Sequence, residues 1–311
     1  MKGIVLAGVS DARLYPLTKE VSKLLLLLCF CVLLTTACED VPDNAVLERG
    51  YFVDQGDTIR VHRLFCENMD SNYPYEDTNL TAQGAAIYDN HLYRIYDYGY
   101  CKVFRLDQIY TTYESEFKLK SFHKGNHANC AQIDKATGLL YESEYYERIC
   151  NVEKVSRDGS VFIQAIRIEK TDKLGDGPLN IVKGDDGFLW AFGCSDDYRT
   201  LSFFKFKSPS TDSPEVILSD IDIIDSWTDY TDFFMQGGKV RNGYLYFLSG
   251  SANSCKKIMI YDISSKQLLR SIDLNEVIIE EPEDCDIIDD KLIITVYGSN
   301  AYYVLYIGKI L

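Results

Sequence analysis

From about residue 82 onward this 311-residue chain repeats itself, and the repeat restricts the fold more than any other feature. Units of about 45–55 residues each open with a strand, turn tightly and enter an aromatic-rich second strand. Five such turns with their following strands lie at 88–95, 134–143, 183–192, 240–248 and 288–296. Asn, Asp and Gly at the turns supply the positive φ of tight hairpins, and the flanking residues are β-branched and aromatic. Third strands follow at 100–106, 149–155, 201–206, 257–263 and 301–307, and fourth strands at 116–122, 160–168, 215–219 and 267–274. The fifth unit ends after three strands, whereas 50–65, with Thr58, Ile59, Arg60, Val61 and His62, has a strand pattern and no unit of its own. Lending that strand to the last unit makes twenty strands, an all-β, five-bladed β-propeller over 50–311 whose closure protects the sheet edges. A six-bladed ring is the alternative and needs another unit within 41–80, where one good strand is visible.

Charge narrows the choice of partner. The formal charge is −15, and without residues 1–38 the remaining 28 basic and 45 acidic side chains give −17. Such a surface repels phosphate backbones, which argues against nucleic acid and leaves room for a neutral ligand or a bound cation; no resident cofactor is implied. No Gly-x-Ser-x-Gly, His-Glu-x-x-His or calcium-loop pattern occurs. Beyond residue 38 the cysteines are Cys66, Cys101, Cys130, Cys150, Cys194, Cys255 and Cys285. Their odd number forbids complete pairing and none has C-x-x-C spacing, so they read as small buried hydrophobes and no metal site is expected.

The first 23 residues carry a different signal. Leu6, Ala7, Gly8, Ser10 and the run Arg13 to Lys19, followed by Ser22 and Lys23, resemble the opening of bacterial glucose-1-phosphate thymidylyltransferases, whose Gly-rich loop wraps nucleotide phosphates. Val9 and Asp11 stand where that loop has glycines and Ala12 where it has threonine, and nothing after Lys23 continues the family's α/β domain. A phosphate loop without its sheet and sugar pocket cannot hold a transition state, so 1–23 reads as a non-functional fragment.

Residues 24–37 form a 14-residue apolar run behind Lys19 and Lys23. A membrane span needs about 20 residues, whereas this length suits a signal-peptide core. Thr35, Thr36 and Ala37 before Cys38 look like a bacterial lipoprotein cleavage site, with Thr35 in place of the usual leucine. The expectation is a mature chain lipidated at Cys38 and anchored in the outer membrane or at the cell surface, with 39–49 as linker. Glu39 and Asp40 resemble the surface-export signal of Bacteroidota lipoproteins. Gln83 to Ala86, Gly125 to Asn129, Met235 to Gly238 and Glu281 to Glu283 resemble secreted propeller lipoproteins of the same bacteria, a family that implies architecture and export but no activity.

In a propeller the first strand of each blade lines the central channel, and the loops before it form one rim. Polar residues there are Gln83, Asn126, His127, Asn129, Asn180, Asp232, Gln236, Glu283 and Asp284. The amides suit hydrogen bonding to sugar hydroxyls, while Asp232, Glu283 and His127 are the candidates for acid–base catalysis. His123 and His127 lie four apart, but Gly125 and Asn126 between them argue against a helical metal pair. The leading expectation is therefore a surface-anchored binding or scaffolding module for a glycan, peptide or partner protein. Alternatives are a carbohydrate-active hydrolase or lyase with its site in the channel and, from the N-terminal resemblance alone, nucleotidyl transfer.

Overall fold

The N-terminal segment folds as a hairpin, β1 (Val46–Asp54) against β2 (Asp57–Phe65), reversing at Gln55 and Gly56, whose φ values of 49° and 91° lie in the left-handed region. The computed structural model describes residues 46–65, 81–108, 113–195, 199–230, 234–251, 254–297 and 301–307, all within a unit spanning Asp43–Leu311. Residues 1–45, with the phosphate-loop fragment, the export segment and Cys38, lie outside the described residues, as does Asp232. β1 begins inside the stretch read as linker.

Five sheets follow. Blade I is β3 (Ala82–Tyr88), β4 (His91–Tyr96), β5 (Tyr100–Arg105) and β6 (Ser115–Lys118). Blade II is β7 (Cys130–Asp134), β8 (Leu139–Glu144), β9 (Ile149–Ser156) and β10 (Gly159–Ile168). Blade III opens with β11 (Asn180–Lys183), β12 (Phe188–Cys194) and β13 (Thr200–Lys207); then come β14 (Glu215–Leu218) and β15 (Ile223–Tyr230). Blade IV is β16 (Met235–Arg241), β17 (Tyr244–Ser249), β18 (Lys257–Asp262) and β19 (Gln267–Asp273). Blade V is β20 (Glu281–Ile288), β21 (Lys291–Tyr297) and β22 (Ala301–Tyr306), to which β2 adds antiparallel from Arg60↔Tyr306 to Phe65↔Ala301, with β1 outermost. The chain is thus an all-β, five-bladed propeller closed by β2, as the repeat implies, and not a six-bladed one, although 50–65, read as one strand, holds β2 and most of β1.

Blade III departs from the expectation. Its fourth strand is β15, paired antiparallel with β13, and not 215–219. β14 instead runs parallel to β10 and becomes a fifth strand on the outer edge of blade II. Side-chain mass explains the choice. β15 brings Trp227, stacked on Phe203 (ring centroids 4.5 Å apart, 16° between planes) and edge-on to Trp190 at 5.8 Å. β14 offers one buried residue, Leu218, among four. Its value is in covering an edge strand that would otherwise expose unpaired N–H and C=O groups.

Apolar side chains fill the spaces between adjacent sheets, as period-2 alternation on strands buried on both faces requires. Blades V and I are stitched by Arg94, whose Nη2 donates to the Val296 carbonyl at 3.2 Å, and by the Thr295 hydroxyl, which donates to the Gln83 carbonyl at 3.2 Å. Cys101, Cys130, Cys150, Cys194 and Cys285 are buried among these side chains, and burial pushes the Cys130 thiol up to about 12.

Candidate functional site

Antiparallel winding sends the loops after the second strands to the rim where the innermost strands begin. At that rim lies a cavity of about 520 Å³. Its walls come from the starts of β3, β16 and β20, from the connector 119–129, from the turns after β4 and β8, and from the end of β21.

Three innermost strands lose ladder register at the same level: between Ala82 and Ala85, between Met235 and Gly238, and between Pro282 and Asp284. An irregularity of this kind re-aims a side chain out of the alternating pattern. The residues inside the three irregularities include Gln83, Gln236 and Glu283, and all three face the cavity. Glycine accompanies two of them because the axis is narrow. A Cβ on Gly84 would stand 2.8 Å from the Ala131 Cβ, and one on Gly237 would stand 2.5 Å from Asp284 Oδ1.

Beneath the cavity the channel is closed by charge. Asp284 and Lys239 form a fully buried ion pair at 2.8 Å, and Asp284 Oδ2 also accepts the Ala85 and Ala131 N–H groups at 2.9 and 3.1 Å. Lys239 donates in addition to the Ala131 carbonyl. One level further along, Asp286 accepts from Arg241 at 2.8 Å and from the Ile87 N–H at 2.6 Å. Burial raises the Asp284 carboxyl to about 6 against the pull of Lys239 and the N–H groups. Burial alone would lower Lys239, but the carboxylate outweighs it and holds the ammonium charged.

The sequence candidates divide into two groups. Gln83, Asn126, His127, Asn129, Gln236 and Glu283 all line the cavity. Asn180 and Asp284 do not: Asn180 accepts from Asn129 Nδ2 at 2.9 Å and donates to the Gln236 carbonyl at 3.0 Å, and Asp284 sits in the ion pair below. The two histidines part company, His127 Nδ1 lying 3.3 Å from Asp97 and His123 Nε2 3.3 Å from Glu144. Cavity residues that the rim argument missed include Thr81, Asp97, Tyr98, Tyr145, Tyr146, Glu281 and Tyr297. Most of these sit after second strands, and strand parity was the signal that would have placed them on this rim. Tyr98 adopts φ 67°, a left-handed conformation that is costly for a bulky residue and that turns its ring toward the cavity.

A polar chain runs around the wall: Gln83 Nε2 donates to Thr81 Oγ1 at 3.2 Å, the Thr81 hydroxyl donates to Asp97, and Asp97 faces His127. Opposite, Gln236 Nε2 donates to Glu281 Oε1 at 2.9 Å and to the Gly250 carbonyl at 3.2 Å. Glu283 is 3% exposed, and burial, together with the charges of Glu281, Asp97 and Asp284, raises its carboxyl well above the usual range. Behind this wall, Glu142 and Glu144 both accept from Asn151 Nδ2, at 2.9 and 2.6 Å, and burial raises Glu142 to about 8. Among the described residues no group of three or more His, Cys, Asp or Glu converges as a metal site.

A second hollow of similar size opens at the far mouth of the channel. Several of its charges serve its own turns: Lys183 donates to the Gly187 carbonyl, Asp185 accepts from the Asn242 N–H, and Arg241 pairs with Asp286.

No protein-family model matches this chain, and no curated protein matches it, so neither the thymidylyltransferase resemblance nor the lipoprotein one has a counterpart there. Solved structures are similar to this chain at low identity. A tail fibre of a Staphylococcus aureus phage is 14% identical with a TM-score of 0.43 over 74% of this chain, which spans half of that fibre. A luciferin-regenerating enzyme is 10% identical, with a TM-score of 0.39 over 72% of this chain and 91% of that one. The β-propeller domain of Cps50 (Swd1) from Myceliophteria thermophila is 8% identical, with a TM-score of 0.37 over 84% of this chain and 98% of that domain.

Proposed function

We propose that this propeller is the binding module of a lipid-anchored surface protein, with Cys38 carrying the lipid and the rim cavity receiving a glycan, a peptide or a segment of a partner protein. The observation that carries the reading is the coincidence of three register breaks, each of which turns a polar side chain into one cavity. A cavity walled by amides, carboxyls and tyrosines has the composition of a ligand site, with a few placed polar groups among aromatic surface. The anchor rests on the apolar run ahead of Cys38.

Full-length protein, solubilised from native membranes, is to be screened on glycan and peptide arrays beside its Gln236→Ala variant. Saturable binding that the variant loses supports the module; ligands retained equally by the variant would place binding elsewhere on the molecule. Intact mass of the same preparation reports the anchor, which is absent if the chain still begins at Met1.

One observation favours a second reading, a carbohydrate-active hydrolase or lyase. Glu281 and Glu283 share the cavity, and the raised carboxyl of Glu283 is what a general acid needs. Release of reducing sugar from polysaccharide that Glu283→Gln or Asp232→Asn abolishes would establish it; no release by the native protein removes it.

A further inference from the structure

We infer that the ligand of the rim cavity carries an organic ammonium group, received by Glu283 and Gln83. This rests on the binding-site reading above and adds the chemical class of what binds.

The hydrogen-bonding capacity left over around Gln83 and Glu283 is one-sided. Three of the cavity's amide donors are engaged: Gln83 Nε2 on Thr81, Asn129 Nδ2 on Asn180, and Gln236 Nε2 on Glu281 and Gly250. Asn126 Nδ2 is an exception, a buried donor with no hydrogen bond; around Gln83 and Glu283 what remains unfilled is acceptor. Gln83 is 1% exposed and its Oε1 has no partner. The Glu283 carboxyl, also buried, has no hydrogen bond and no cationic partner among the described residues; the charges that reach it are those of Glu281, Asp97 and Asp284. A buried carboxyl kept among carboxylates is costly unless something positive arrives. Lys239 cannot serve, because it is bound to Asp284 on the channel side. His127 is held at Asp97 and Lys124 stands exposed at the rim.

An ammonium matches this deficit. It has three N–H donors and no acceptor, and its positive charge offsets the acids. The rim adds aromatic faces from Tyr98, Tyr146, Tyr297 and Phe234, which attract cations through the ring quadrupole. A hard divalent metal does not match, because it takes about six or more oxygen ligands and no such group converges among the described residues.

Two common sources of an ammonium are an amino sugar and a peptide N-terminus, and the test separates them. Full-length protein is titrated calorimetrically with glucosamine and N-acetylglucosamine, and with alanyl-tyrosinamide and its N-acetyl derivative. One free amine is expected to bind at least tenfold more tightly than its acetylated twin, and Glu283→Gln to erase that difference while leaving the weaker twin unchanged. Whichever pair shows the preference identifies the source. Should Glu283→Gln fail to fold, the native protein still decides. Binding an ammonium ionises Glu283, so a proton is released, the heat changes with buffer, and affinity rises with pH for as long as the amine itself stays protonated. The same release persisting in His127→Gln, Lys124→Met and Glu281→Gln assigns the proton to Glu283. Asp284 stays occupied by Lys239 throughout, and Asp97 keeps the Thr81 hydroxyl and N–H when His127 is replaced.

Equal or tighter binding of an acetylated twin overturns the ammonium and leaves the binding module standing. Heat from calcium chloride that Glu283→Gln removes overturns it in favour of a metal. No heat from any of the four probes overturns it too, while ligand capture on the arrays reports separately on whether the protein is a binding module at all.

Discussion

Asp284 shows how a single side chain can organise a ring. From blade V it pairs with Lys239 of blade IV and accepts backbone N–H groups of blades I and II. Removing one partner of a buried pair leaves the other charge without compensation, which costs about 3–5 kcal/mol, whereas removing both together costs far less. Asp284→Asn is therefore expected to lower stability by about 3–5 kcal/mol in denaturant titration, and Asp284→Asn with Lys239→Met to cost less than the sum of the single changes. Additive losses would mean that the two side chains do not act as a pair. Gly237 is constrained from the same direction. A Cβ there would lie 2.5 Å from Asp284 Oδ1 and 2.7 Å from the Asn129 carbonyl, and a backbone oxygen cannot swing aside. Gly237→Ala should cost about 1–3 kcal/mol, read as a drop in the urea midpoint. Gly243→Ala, with open space around its would-be Cβ but φ 82°, should suffer only the smaller strain of that conformation.

At the level of elements, blade III sets a large aromatic against a short strand. Trp227 on β15 is half-buried against Phe203 and Trp190, while Ile217 on β14 is 54% exposed. Trp227→Ala is expected to cost about 2 kcal/mol or more, short of the ~3–5 kcal/mol of a fully buried tryptophan, and Ile217→Ala less than about 1 kcal/mol. Thermal unfolding of the two variants checks the order, and a larger loss from Ile217→Ala would reverse the account of why β15 holds the fourth position. The same contrast explains what a reader of the sequence can see. Tight-turn residues such as Asn242 and Gly243 announce hairpins locally, so the unit length and most strands are legible, and so is closure, because 50–65 has no unit of its own. β14 and β15 both set neighbouring apolar residues beside acidic ones, and the packing of Trp227 on another strand is what separates them. The cavity was legible where its residues begin the innermost strands, as Gln83 and Gln236 do. Asp97 and Tyr98 reach it through antiparallel parity, and Asp284 leaves it through pairing with Lys239, which no spacing reveals.

For the molecule as a whole, buried acids with raised pKa values set the response to pH. Glu142 titrates near 4.5 when unfolded and at about 8 when folded, raised first by burial and then by Glu144 and Glu153 nearby. Between those values the folded chain keeps a proton that the unfolded chain has released, so stability falls as pH rises, by about 1.4 kcal/mol per unit for each such group. Asp284 acts in the same sense between 3.8 and about 6, and Glu283 also acts in that direction from 4.5 upward. Lowered carboxyls at Glu280, Asp107, Asp225 and Asp262 act in the opposite sense, but only below their ordinary values of 4.5 and 3.8, and so beneath this range. The melting temperature is therefore expected to be highest in mild acid and to fall from pH 5 to pH 8. Net charge of −17 outside residues 1–38 pushes the same way through self-repulsion, but that part is screened by salt and the buried part is not. Calorimetry at pH 5, 6.5 and 8, repeated in high salt, separates them. Glu142→Gln keeps the shape and the acceptor for Asn151 but cannot ionise, so it should match the native protein at pH 5, exceed it at pH 8 and flatten the slope between them. A native melting temperature that rises toward pH 8 in high salt would show that the buried carboxyls are ionised without penalty, and the polar network around Asn151 would then have to supply the compensation.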